Sequence, residues 1–343
     1  MSQKRIIIIV FSLIVFSILI TLLLANNIGN PLTNFEARIY QKISGKKPQY
    51  VKYDKSGLPI VVYEGNVGEH VTVVMASQEA LKYYKNIGDT TMQNKFFACI
   101  EWLTSNSTKL NDSSIIFYVN FDWPSFSMKK PWRSAMSQGR AMQAFLKAYE
   151  FTGDSAYLGY ARKSMNTLYT AVKDGGVTYF NSSGYWYEEY ADDSVPESRV
   201  LNGMIVVLQA LSDYYKVTND PEALLLFNKG VNAVKSTLHL YDTGGHSNYD
   251  VMGKPASPWY HNFHIQLLDF LYTETHDSIF NQYKQRWMNY KEPSYLPALI
   301  NKPTRIGVFA VVTLFVMVLL IVSMITYIIW FRRSKIEKPI TNK

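Results

Sequence analysis

Four aspartates punctuate this chain at nearly equal intervals: Asp89, Asp154, Asp220 and Asp277, separated by 65, 66 and 57 residues. Each closes a run that is apolar and aromatic at helical spacing, namely ALKYYKNIGD, AFLKAYEFTGD, LQALSDYYKVTND and LLDFLYTETHD, and each leads into a second helical stretch. The repeating unit is therefore helix, turn, helix. A period of this length marks stacked supersecondary units, because one hairpin cannot bury its own apolar face. The expected fold is mainly α, an incomplete α/α toroid of helical hairpins. Short β-hairpin loops should lie at one rim, with a transmembrane helix on either side of the toroid.

The flanking helices are read from the two ends. Ile6 to Leu24 is apolar except for Ser12, Ser17 and Thr21, and at 1.5 Å per residue it spans roughly 28 Å, enough to cross a bilayer. Ile306 to Phe331 is a second uncharged run, long enough to span with some tilt. The first exceeds the usual apolar length of a signal peptide, and LLLANN offers no clear cleavage site, so it reads as an uncleaved anchor. Lys4 and Arg5 precede the first run, and Arg332, Arg333, Lys335, Lys338 and Lys343 follow the second. Basic flanks stay on the cytoplasmic side. The expectation is a two-pass membrane protein with both termini cytoplasmic and its middle extracytoplasmic or luminal.

The same tails carry +6 of the formal net charge of +8, leaving the middle nearly neutral. The basic balance thus reports topology and gives no ground for a nucleic-acid partner. A lone cysteine, Cys99, excludes an intramolecular disulfide and any cysteine-rich metal site. Acceptor sequons at Asn106, Asn111 and Asn181 would be exposed outside the cytoplasm.

The expected organisation is an N-terminal anchor (1–25), a linker (26–56), the toroid (57–290), a second linker (291–305), a transmembrane helix (306–331) and a basic cytoplasmic tail (332–343). LPIVVYEG, residues 58–65, reads as a strand. Three loops between hairpins are unusually aromatic: IIFYVNFDWPSFSMKKPW, GVTYFNSSGYWYEEY and LYDTGGHSNYDVMGKPASPWYH. Lids over helix ends account for some of the Trp and Phe. They do not account for so many Tyr, Glu, His and Asn, since buried polar groups need partners. If the first helix of each hairpin lines the inside, these loops and the helix N-termini they enter share one rim, suited to an anion and to the apolar faces of sugar rings. An anionic carbohydrate is the expected ligand.

Five motifs occur in order: WRSAMSQGRAMQAFLKAYEFTGDSAYL (132–158), YWYEEY (185–190), SRVLNG (198–203), LYDTGGHSNYD (240–250) and WYHNFHIQLLDFL (259–271). Together they resemble the C-terminal catalytic domain of the D-glucuronyl C5-epimerases, of the heparosan-N-sulfate-glucuronate 5-epimerase type, over roughly residues 57–290. The resemblance implies an isomerase that inverts C5 of glucuronate units within a polysaccharide and needs no cofactor. Its catalytic tyrosines carry over to Tyr190 and Tyr260, with Tyr249 a further site tyrosine and Glu189 the acidic neighbour. Tyrosine can move the C5 proton if neighbouring cations lower its pKa from about 10. Arg133, Gln138, Arg199 and Asn202 are candidates for substrate contacts near inner-helix N-termini, and Tyr187 is a further candidate for a substrate contact.

One departure bears on the substrate: the family commonly has an Arg shortly after the NYD-like tyrosine, where this chain has Met252. Lys254 can supply a point charge there but not the two-pronged contact of a guanidinium. His261 and His264 lie three apart on one helical face, and with no third ligand in sight they read as hydrogen-bonded site histidines, with no metal expected. The adjacent pair Glu188 and Glu189 could suggest a glycosidase, but neighbours in sequence do not straddle a sugar. The partners expected are an anionic uronic-acid polysaccharide and the bilayer, with a homodimer allowed. The rival readings are a uronate polysaccharide lyase and a non-catalytic glycan-binding membrane protein.

Overall fold

The computed structural model describes residues 3–44, 49–290, 295–301 and 303–336. It divides into two units, one spanning Gln49–Tyr290 and one formed by the two ends of the chain. The chain opens with one long helix, α1 (Gln3–Ser44), in the end-formed unit.

Four helical hairpins build the central unit: α2 (Val73–Tyr84) with α3 (Thr90–Ser105), α4 (Ala135–Thr152) with α5 (Ser155–Asn166), α6 (Leu201–Thr218) with α7 (Pro221–Thr237), and α8 (Pro258–Thr275) with α9 (Ser278–Met288). The punctuating aspartates are the N-caps of the second helices. Asp89 accepts from Met92 N at 3.0 Å, Asp154 from Ala156 N at 2.8 Å, Asp220 from Glu222 N at 3.0 Å and Asp277 from Ile279 N at 3.1 Å. Each satisfies an N–H that the helix itself leaves unpaired. In the last three hairpins the first helix ends on a left-handed residue, Gly153, Asn219 or His276, whose N–H returns to Tyr149, Tyr215 or Tyr272 O. The first hairpin turns without one, through Lys85 in the right-handed region.

The first helices form the inner layer: α2 packs on α4, α4 on α6, and α6 on α8. A single apolar core runs through all four hairpins, from Ala76 and Phe96 through Phe145, Met204 and Leu211 to Leu268 and Trp287. The unit begins at Gln49, earlier than the expected boundary, because Tyr50–Tyr53 pairs antiparallel with Pro59–Val62, the core of the strand read in 58–65, which also pairs with Glu69–His70.

The aromatic loops carry the remaining strands. Thr108–Lys109 pairs with Ile115–Ile116, Tyr118–Val119 with Trp132–Arg133, and Thr178–Asn181 with Gly184–Tyr187. The third loop has only isolated bridges, Asp242 to Ser247 and Asn248 to Pro255.

In the end-formed unit, α1 continues through much of the stretch expected as a linker, past Pro31 to Ser44. Once an apolar run has nucleated a helix, each further residue adds a hydrogen bond, and FEARIYQKIS offers little to stop it. The expected second linker contains a short helix, α10 (Tyr295–Asn301), and the last helix, α11 (Arg305–Ile336), packs along α1. Ala25, Leu314 and Val318 are buried at that contact, and Asn26 Oδ1 accepts from Leu296 N at 3.0 Å. Gln3–Asn27 and Arg305–Arg332 are both long and apolar enough to cross a membrane. Part of the basic tail, residues 337–343, lies outside the described residues.

Candidate functional site

A cavity of about 380 Å³ opens where all four inner helices and two aromatic loops meet. Met75 and Gln78 of α2, Met136 and Ser137 of α4, Asn202 of α6, and Tyr260 and Phe263 of α8 face it. Phe121, Trp123, Trp132, Glu189 and Tyr190 complete the wall from the loops, and Trp259 stands at its edge, 66% exposed.

Glu188 explains how the second loop is held. It is fully buried, and its carboxylate accepts from Ser198 Oγ at 2.8 Å, Arg199 N at 3.0 Å and Tyr190 N at 3.3 Å. Its backbone N–H donates to Val177 O and its carbonyl accepts from Ala135 N at the start of α4. The residue read as half of an acidic pair is therefore the knot that ties the hairpin, the entry to α6 and the entry to α4 together. It also holds Arg199 at φ 45°, a sparsely populated region for a side-chain-bearing residue, where the Arg199 carbonyl accepts from Tyr241 OH at 2.5 Å.

With Glu188 fixed, the next two residues point to the cavity. Tyr190 stacks on Phe126, with ring centroids 4.0 Å apart and planes 16° from parallel, and on its flank lies Trp132 at 5.5 Å. The third loop delivers Tyr249: Leu201 N donates to its carbonyl, its N–H donates to Lys254 O, and Val251 N donates to Ser198 O. Tyr260 sits in the first turn of α8, under the Ser257 cap. Tyr249 and Tyr260 meet edge to face at 4.7 Å, and Phe126, stacked on Tyr190, has its ring centroid 6.4 Å from that of Tyr249. Glu189 accepts from Asn202 Nδ2 at 3.5 Å. The result is a cluster of one carboxyl and three packed phenols.

The electrostatics differ from the expected pattern. Burial, and after it the charge of Glu189, pushes the phenols of Tyr190, Tyr249 and Tyr260 up rather than down. Among the described residues no lysine or arginine lines the cavity. Burial and the neighbouring Glu188 raise Glu189 itself to about 8. In the ligand-free site, protons are therefore held tightly by all four groups. The first to be released as pH rises is that of Glu189.

The remaining candidates divide into those near the cluster and those engaged elsewhere. Asn202 is nine-tenths buried or more, faces the cavity, and its Oδ1 has no partner among the described residues. Lys254 places Nζ 5.3 Å from the ring centre of Tyr249 and 5.1 Å from that of Phe126, so it is a cation beside the cluster, while Met252 is 56% exposed. Gln138 is buried in α4 with neither amide atom partnered among the described residues, and it does not line the cavity.

Five others are not brought to it. Tyr187 is buried in the core with its hydroxyl donating to Leu226 O at 2.7 Å, because residues alternate faces along a strand and its neighbour Glu188 takes the other side. Arg133 donates from Nε to Ala191 O and pairs with Asp193 at 3.8 Å. Arg199 forms a local ion pair, Nε donating to Glu197 Oε2 at 2.7 Å. His261 and His264 lie with Ser247, whose Oγ is 2.9 Å from Nδ1 of each, behind α8 against Trp287. Burial, followed by the neighbouring histidines, depresses His264 to about 3, so it remains neutral. Among the described residues no cluster of three or more His, Cys, Asp or Glu is placed to hold a metal.

Sequence reasoning missed the α2 wall; it placed the aromatic loop IIFYVNFDWPSFSMKKPW at the rim without singling out Trp123, Phe126 or Trp132. The polar triplet Ser77, Gln78 and Glu79 within the run VVMASQEAL is the signal that could have pointed to α2.

Residues 111–289, just over half of the chain, match the family model described as D-glucuronyl C5-epimerase C-terminus. An uncharacterised protein of Methanocaldococcus jannaschii is 34% identical over 188 residues, which cover 54% of this chain and 60% of that protein. A D-glucuronyl C5-epimerase of Caenorhabditis elegans is 29% identical over 214 residues, 57% of this chain and 34% of that protein. The chain thus spans less than two thirds of either relative. Among solved structures, a cellobiose 2-epimerase from Bacillus thermoamylovorans superposes with a TM-score of 0.47 at 12% identity, covering 71% of this chain and 76% of the other.

Proposed function

This chain belongs to the family of the D-glucuronyl C5-epimerase C-terminus, and from that premise we propose that it is a membrane-anchored enzyme inverting C5 of glucuronate units in an anionic polysaccharide. The observation that carries the reading is the cluster of Glu189, Tyr190, Tyr249 and Tyr260, of which Glu189, Tyr190 and Tyr260 line a cavity large enough for a sugar unit.

The C5 hydrogen lies α to a carboxylate. Its removal leaves the electron pair of the C–H bond delocalised into that carboxylate, a dianion that an apolar site must stabilise. With one proton missing from the cluster, a phenolate formed as its proton passes to Glu189 takes the hydrogen from C5. A neutral phenol on the other face of the ring then gives its proton to C5, and the configuration inverts with no net change in protons. General acid and base groups work best when their pKa lies near the working pH, and a carboxyl raised to about 8 meets that condition where an isolated phenol does not. Lys254, beside Tyr249, is the cation placed to offset the substrate carboxylate.

Two spans of membrane-crossing length support anchoring, and the basic residues flanking them support cytoplasmic ends and an extracytoplasmic or luminal catalytic unit. The test is incubation of the full chain with uronate polysaccharides in deuterated water. Deuterium at C5 together with the appearance of the C5 epimer is the expected result. A rise in ultraviolet absorbance from unsaturated uronate would reassign the chain as a lyase, and binding without exchange would leave a glycan-binding protein.

A further inference from the structure

Ser247, His261 and His264 form a buried junction on the α9 side of α8, between the loop that carries Tyr249 and the helix that carries Tyr260. Its hydrogen bonds fix their own directions. The backbone N–H of Ser247 can only donate, and it lies 3.2 Å from His261 Nδ1, so that nitrogen carries no proton. The proton of the neutral ring is therefore on Nε2, which donates to Trp287 O at 3.2 Å. Ser247 Oγ stands 2.9 Å from Nδ1 of both rings. The arrangement that sets no two lone pairs face to face has the hydroxyl donating to His261 Nδ1 and accepting from His264 Nδ1–H. His264 Nε2 is then a bare nitrogen, with no partner among the described residues.

Three elements meet at this point. Ser247 lies two residues before Tyr249; its carbonyl accepts from Ala256 N at 3.0 Å while Tyr249 N donates to Lys254 O at 2.6 Å, so 247–249 and 254–256 run as a short paired turn. His261 directly follows Tyr260 in α8, and His264 lies one turn further on. Trp287, near the end of α9, takes the proton of His261 Nε2. His246 stacks on His261 with centroids 4.4 Å apart and planes 11° from parallel, and Tyr290 meets these two rings edge-on at 5.0 and 5.7 Å. Apolar packing beneath α8 is non-directional and tolerates a small slide or rotation of the helix, whereas hydrogen bonds of fixed polarity do not. The rings of Tyr249 and Tyr260 meet at 4.7 Å, one from each side of the junction. A shift of loop against helix there moves one phenol relative to the other.

We infer that Ser247, His261 and His264 are positioning residues for the reaction, setting the Tyr249 phenol against the Tyr260 phenol without touching the substrate. The inference rests on the epimerase reading for the chemistry the junction serves, but the geometry it sets is measurable without turnover. Ser247→Ala removes the hydroxyl. His264→Leu removes the opposite partner, and His264→Asn puts an amide where Nδ1 lies. In C5 deuterium exchange by the full chain, Ser247→Ala and His264→Leu should each lower kcat by at least about tenfold with KM held within about twofold, and His264→Asn should recover most of the loss. Asp154→Ala, a cap variant far from the junction in sequence, is the control for loss of thermal stability alone and should keep kcat. The second readout is the ¹⁹F signal of 3-fluorotyrosine incorporated at Tyr249 or Tyr260. It should move in Ser247→Ala and His264→Leu and stay near its wild-type position in His264→Asn and Asp154→Ala. Unmoved signals in both Ser247→Ala and His264→Leu overturn the proposal, as does a kcat that survives both or falls equally in Asp154→Ala. Absence of exchange in the wild-type chain removes the epimerase reading instead, and the fluorine signals then decide the junction alone.

Discussion

Gly203 lies directly against Glu189. A Cβ on Gly203 would overlap Oε2, Cβ and Cδ of the glutamate, so the first turn of α6 leaves room for this carboxyl and for nothing larger than hydrogen beside it. Gly203→Ala should therefore displace Glu189 from Tyr190 and Asn202. Because Ala favours a helix over Gly by about 1 kcal/mol, the fold should persist. C5 exchange should fall by about a hundredfold, the cost of a misplacement near 1 Å, with an unchanged circular dichroism spectrum. Wild-type exchange rates in this variant would remove Glu189 from the chemistry.

The raised pKa of Glu189 sets a pH dependence. To accept a hydrogen from C5 the cluster must have lost one proton, and the fraction that has done so grows as pH rises through about 8. Exchange kcat/KM should climb over that range and then level, and Glu189→Gln should abolish the climb. Stability should run the other way. The native state holds this proton more tightly than the unfolded chain does, so wild-type stability declines as pH rises from about 4.5 to about 8. Above that window Glu189→Gln should be the more stable protein by about 1–3 kcal/mol, allowing for the water that the cavity admits. Urea titrations at pH 5 and pH 9 measure the difference.

Three tyrosines give contrasting outcomes. Tyr190→Phe and Tyr260→Phe should each lower exchange by about 10²–10⁴-fold with oligosaccharide affinity retained. Tyr187→Phe should leave exchange intact and cost about 1 kcal/mol, since it removes only the buried bond to Leu226 O. A strong catalytic defect in Tyr187→Phe would contradict its placement in the core.

The N-caps offer a test of the hairpins themselves. Asp89→Ala should cost about 1 kcal/mol through the loss of its bond to Met92 N. Asp220→Ala should cost more, because Asp220 also pairs with Arg162 at 3.2 Å. Denaturation of the single variants and of the double variant would show near-additive losses if the two caps act independently.

How much of this was legible beforehand follows from the range of the interactions involved. The hairpins were legible because a cap is local: Asp154 and Ala156 are two residues apart, and Gly153 completes the turn between them. Tyr190, Tyr249, Tyr260 and Glu189 were legible through the resemblance of their motifs. The role of Glu188 was not, since its partners Ser198 and Arg199 lie ten and eleven residues on, and Ala135 reaches it from far upstream. Tyr187 misled because strand phase decides which of two adjacent residues turns inward, and YWYEEY does not declare that phase. The direction of the phenol shifts also lay beyond sequence, as it depends on how deeply the three phenols are buried and on Glu189 standing beside them.

The three phenols come from chain positions 190, 249 and 260, one from a loop before α6 and the others from the approach to α8 and its first turn. They meet only after the last inner helix has docked. A ribosome-bound chain that has emerged as far as α7 holds most of the core yet has a single phenol of the three, so the cluster is assembled only when synthesis of the central unit is nearly finished.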